Sequence, residues 1–82
     1  MKIESSWESE LAEIEELASE AEHEHLSIAL DGNASSMAIV QSARTTTLLV
    51  RLLQGVRRPT DGDRFILKAK ATTLRELLNR DV

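Results

Sequence analysis

WESELAEIEELASEAEHEHLSIALDGN, residues 7–33, is the stretch that decides how this chain folds. Within it Trp7, Leu11, Ile14, Ala18, Ala21, His25 and Ile28 recur at alternating steps of four and three, the spacing of a coiled-coil seam. Asp31-Gly32 then breaks the pattern, and Gly32 suits the left-handed position that closes a helix. A helix from Ser6 to Leu30, ~37 Å long at 1.5 Å per residue, is predicted. At its start Ser5 and Glu8 have capping-box spacing, and Ile3 is placed to staple onto the first turn. Glu8, Glu15 and Glu22 flank the seam on one side and Glu10, Leu17 and Glu24 on the other, positions that select a partner helix by charge. Ala18, Ala21 and His25 give the second half of the seam little volume. Such a helix needs a packed partner.

Downstream, Asn33, Ser35 and Ser36 offer caps for a second helix from about Ala34 to Gln54, with Gly55 as its stop and Val56 placed for the contact that follows. Ile39, Ala43, Thr46, Val50 and Leu53 form its main apolar line, and Leu48, Leu49, Leu52 and Val56 widen it beyond one stripe. A helix this broadly apolar wants burial on two sides. Thr45, Thr46 and Thr47 are poor helix formers whose hydroxyls can bond back to carbonyls. After Arg57-Arg58-Pro59, Thr60 and Asp63 make a second box-like cap. Leu67, Ala71, Leu74 and Leu78 step along a third helix, with Phe65, Ile66 and Leu77 widening its face and Lys68, Lys70 and Arg75 beside it. A competing reading makes Phe65 to Ala71 a short strand. The predicted fold is all-α: a single domain, residues 1–82, forming a three-helix antiparallel bundle with a long acidic helix 1, a broadly apolar helix 2 and a basic helix 3.

Eighty-two residues bury a small core, near the size where extra support is usual. With no cysteine, disulfides are out, and oligomerisation is the expected stabiliser. Residues 1–42 carry a net −9 and residues 43–82 a net +5, which together give the formal −4. Acidic and basic halves of this kind pair within a chain or between copies. The overall negative charge disfavours duplex DNA, and Trp7 and Phe65 alone give single-stranded nucleic acid little to stack on. Residues 1–20 read as lacking a signal peptide, and no apolar run approaches a membrane span, so a cytoplasmic protein with no membrane partner is expected.

Catalysis has little support, since no nucleophile has a base and an orienting acid beside it. His23 and His25 point about 200° apart on a helix and cannot grip one ion together. Glu22 and His25 do form Glu-x-x-His, half of a carboxylate di-metal motif, but the remaining ligands are not in this chain. No enzyme activity, metal or cofactor is expected. The reading is a small interaction or regulatory module that self-associates through Leu48, Leu49, Leu52 and Leu53. It docks another protein through an outward acidic face of Glu13, Glu16 and Glu20. Accessory proteins and inhibitors of phages and mobile elements often share this composition, which is a compositional association only. The alternative is an oligomeric binder that sequesters a phosphate-bearing small molecule such as a nucleotide. Its anion site would be Arg44, Arg51, Arg57, Arg58 and Arg64, since guanidinium groups grip phosphate in bidentate fashion.

Overall fold

The computed structural model describes residues 3–80, with side chains from residue 7 onward, as three helices: α1 (Ile3–Leu30), α2 (Ala34–Leu53) and α3 (Asp61–Arg80). α1 is helical from Ile3, ahead of the cap expected at Ser5; the side chains of Ile3 and Ser5, and the capping box with them, lie outside the described residues. The strand reading of Phe65 to Ala71 fails, because the whole segment is helical. Its start is fixed by a reciprocal cap. The Asp63 amide donates to Thr60 Oγ1 at 3.0 Å, and the Thr60 amide donates to Asp63 Oδ2 at 2.9 Å.

The turn between α1 and α2 closes both helices at once. Gly32 takes φ +97°, its amide donates to Ala29 O at 3.0 Å, and the Asn33 amide donates to Ile28 O at 3.3 Å. That pair of bonds is the Schellman arrangement, which satisfies carbonyls the helix end would otherwise leave open. Asn33 then serves the next helix, its Oδ1 accepting from the Ser36 amide at 2.8 Å. At the far end of α2 the cap is Gln54, and Gly55 does not adopt the left-handed conformation. Gly55 therefore permits the stop without being required for it. Val56 packs against the core as expected.

Contacts step back along α1 as α2 advances. Ser36 meets His25, Arg44 meets Glu22, and Gln54 meets Glu15. α1 and α2 are the most closely packed pair, while α3 leans mainly on α2 and touches α1 least. The molecule is rod-like, 45 Å long and 17–18 Å across.

Two clusters build the core. Near the ends of α1 and α2 farthest from their turn, Trp7, Leu11 and Ile14 pack with Val50, Leu53, Leu67 and Ala71. Farther along, Ala18 and Ala21 meet Ile39, Ala43 and Leu74. The alanines contribute little burial each, but they let α1 and α2 approach closely. The main α2 line of Ile39, Ala43, Thr46, Val50 and Leu53 is buried throughout. Thr45, Thr46 and Thr47 donate to the carbonyls of Gln41, Ser42 and Ala43 at 2.8–3.0 Å, so the hydroxyl of the buried Thr46 is satisfied within its own helix.

Two sequence expectations about the core need correction. The α1 seam ends on Ala29 rather than Ile28, which is exposed. A straight helix drifts ~20° per heptad from a 3.5-residue repeat, and by the fourth heptad the inward position has moved one residue on. Phe65 and Ile66 were expected to widen the core face of α3, yet Phe65 is 73% exposed and Ile66 48%. α3 meets its neighbours through the line of Leu67, Ala71 and Leu74, with Leu77 and Leu78 packed half-buried beside it as expected.

The two turn glycines give a paired test. An added Cβ at Gly32 would meet nothing within 4 Å, so Gly32→Ala costs only the left-handed backbone penalty, about 1–2 kcal/mol. Gly55→Ala, with open space and no positive φ, is neutral or stabilising by up to about 1 kcal/mol. Urea denaturation followed by circular dichroism reads both. Equal loss in the two variants would contradict this account of the turns.

Candidate functional site

The outer side of α1 is a ridge of carboxylates. Glu13, Glu16 and Glu20 are all exposed, on the side of the helix opposite Leu11, Ala18 and Ala21. Glu16 and Glu20 continue with Glu15 and Glu22 into an open groove of about 570 Å³ between α1 and α2, where Thr47 and Arg51 supply the other wall. Glu13 borders a smaller groove of about 280 Å³ toward α3, whose lining also includes Glu10, Lys68 and Arg75. The expected acidic face is therefore outward, and it is bounded by basic side chains on both flanks.

Arg44 and Arg51 both turn to the groove between α1 and α2, and the other arginines lie elsewhere. Arg44 Nε donates to Glu22 Oε2 at 2.8 Å, in a pair that stays partly open to water, with side chains 59% and 30% exposed. Arg51 borders the carboxylate groove. Arg57 lies beside a different hollow, with Glu8 and Gln54. Arg58 is exposed. Arg64 stacks over the buried Trp7, its guanidinium carbon 5.4 Å from the ring centroid, a cation–π contact. Arg44, Arg51, Arg57, Arg58 and Arg64 thus do not converge on one phosphate-sized position. Glu22 of α1 takes up the charge of Arg44.

The halves of the Glu-x-x-His motif also turn to different partners. Glu22 is held by Arg44, while His25 Nδ1 lies 3.4 Å from the hydroxyl of the buried Ser36. Among the described residues no three His, Cys, Asp or Glu side chains gather as a metal site would need. His25 and Ser36 form a polar layer at the weak end of the α1 seam.

The proposed interface leucines divide in two. Leu53 is buried in the chain's own core and Leu49 is half-buried against it, so these two are corrected to core positions. Leu48 is 61% exposed and Leu52 74%. The periodicity reading missed that Met37, Phe65 and Ile66 are exposed as well. For α2 the signal was present as a second spacing pattern alongside the main apolar line; for Phe65 and Ile66 nothing in the α3 pattern separates them from core. Among the described residues no helix is long and apolar enough to cross a membrane. Comparison with family models, curated proteins and solved structures yields no match to this chain.

The Arg44–Glu22 pair carries an expectation of its own. A double-mutant cycle on Arg44→Ala and Glu22→Gln gives a coupling of about 0.5 kcal/mol at low salt, since exposed pairs are largely compensated by solvent. It shrinks further in 1 M salt, where screening is nearly complete over ~3 Å. A coupling of several kcal/mol that ignores salt would show that the pair organises the fold.

Proposed function

We propose that this chain is a non-enzymatic interaction module, an antiparallel three-helix bundle that self-associates and docks a basic protein partner through α1. A cytoplasmic setting fits a chain without cysteine. The observation that carries the docking reading is the outward placement of Glu13, Glu16 and Glu20, held on a helix whose opposite face is core. Carboxylates fixed on a rigid helix present charge without the ordering cost a flexible loop would add. Such a face steers a basic partner to contact and does so less as salt rises.

The alternative, sequestration of an anionic small molecule, has weaker support. Arg44 is engaged by Glu22 and Arg64 by Trp7. The groove beside Arg51 is lined by Glu15, Glu16, Glu20 and Glu22, which repel a phosphate.

The test compares the unmodified protein with a Glu13→Gln, Glu16→Gln, Glu20→Gln variant as immobilised bait. The variant keeps its helical content, because all three side chains are exposed. A basic partner retained by the unmodified chain, released by salt and not held by the variant is the expected result. Equal retention by both proteins would contradict the assignment of this face.

A further inference from the structure

Three helix pairs make three grooves, and α1 supplies acid to two of them. Glu15, Glu16, Glu20 and Glu22 line the groove shared with α2, and Glu10 and Glu13 the one shared with α3. The third, between α2 and α3, is built differently. Ile66, Lys70, Thr73, Leu77 and Arg80 follow one another along α3 at steps of four, three, four and three, so they share one face. Leu77 and Arg80 set that face beside α2, in a hollow of about 310 Å³ whose other wall is Ala34, Ser35 and Ala38. Lys68, Thr72 and Arg75 turn the other way, into the groove with α1. On α2 the wall continues from Ala34 and Ala38 through Gln41, Thr45, Leu48 and Leu52 at the same helical steps, all exposed and none charged. Among the described residues these two walls carry two cations, Lys70 and Arg80, and no carboxylate.

We propose that this groove seats an amphipathic helix of another protein, one whose apolar stripe is bordered by carboxylates. The chain itself shows the fit. α1 covers another side of α2 with such a helix, a seam of Leu11, Ile14, Ala18 and Ala21 flanked by glutamates, of which Glu22 holds Arg44. In the third groove the neutral wall and the cations recur without the acid. Ile66 to Arg80 spans ~21 Å, about four helical turns for the visitor to follow. Ala34 and Ala38 permit at one end the close approach that Ala18 and Ala21 permit to α2. A fourth helix set in this groove completes a four-helix bundle and buries the exposed Ile66 and Leu52. Charge selects the acidic border, since carboxylates meet Lys70 and Arg80 while a basic helix is repelled by them. A second copy does not supply this occupant. Its α1 seam is buried in its own fold, and its acidic ridge has no exposed large apolar side chain before Ile28. The same groove of a second copy would set Lys70 and Arg80 against their own kind.

The inference does not depend on the acidic docking face. Leu48 and Leu52 also belong to the surface proposed for self-association, so a seated helix competes with a second copy. The probe is a labelled three-heptad synthetic peptide with leucine at a and d and glutamate at e and g, whose flanks repel a second peptide. Fluorescence anisotropy against the whole chain reads its binding, and light scattering reads the mass of the chain. The expected result is saturable binding that weakens as salt rises. The Lys70→Glu/Arg80→Glu variant binds about tenfold more weakly or worse, the worth of two exposed charge pairs. It keeps its helical content, because both side chains are exposed. Lys70→Gln/Arg80→Gln, which removes charge without reversing it, loses part of the affinity. The Glu13→Gln, Glu16→Gln, Glu20→Gln variant binds the peptide no more weakly than the unmodified chain. A monomeric chain that binds in this pattern would remove self-association and leave the inference standing. No binding by the unmodified chain would overturn it, and so would equal binding by the charge-reversed variant. Loss of self-association in Lys70→Glu/Arg80→Glu, with no peptide bound by the unmodified chain, would give the groove to a second copy instead.

Discussion

Everything in this molecule depends on how closely α1 and α2 approach along Ala18, Ala21 and Ala43. Alanine buries little surface, so this contact is weak per residue and strong only through proximity and length. Close approach aligns the polar partners on either side: Arg44 reaches Glu22, Gln54 reaches Glu15, and His25 lies beside Ser36. Larger side chains in the alanine row would push the helices apart and break those pairs before they unpacked the Trp7 end. The three-residue turn through Gly32 and Asn33 fixes the phase of the contact by closing α1 and opening α2 with the same residues.

That arrangement also settles where the charge goes. The sequence separates acid from base along the chain, and the fold brings the halves together only in part. Basic side chains of α2 and α3 line both flanks of the α1 ridge, while Glu13, Glu16 and Glu20 remain outward. The same packing turns the two arginines of α2 toward α1, and so strips charge from the opposite face of that helix. An outward acidic ridge and a neutral strip are two consequences of one helix pairing.

Much of this was legible in the residues. The Thr60–Asp63 cap, the left-handed Gly32, the buried α2 line and the back-bonded threonines follow from local rules that need no tertiary knowledge, and the structure has each of them. Where local rules failed, the cause was tertiary. Ile28 lost its inward place to helical drift, and Phe65 and Ile66 lost theirs because α3 touches α1 so little that its buried line is narrow. Leu53 stood on the predicted apolar line, whereas Leu49 could not be told from Leu48 and Leu52 by composition, since only tertiary packing decides which of them is covered. Nor can sequence spacing show that Glu22 pairs with Arg44 and that Arg64 stacks over Trp7.

α2 emerges as the central element, packed by both α1 and α3 within the chain, and its exposed Leu48 and Leu52 belong to the surface proposed for self-association. Amide hydrogen exchange at low and high protein concentration tests this most directly, because association stabilises the folded state by mass action. The account predicts that α2 is the most protected helix and that its protection rises with concentration. Protection of α2 no greater than that of α3, and the same at both concentrations, would contradict it.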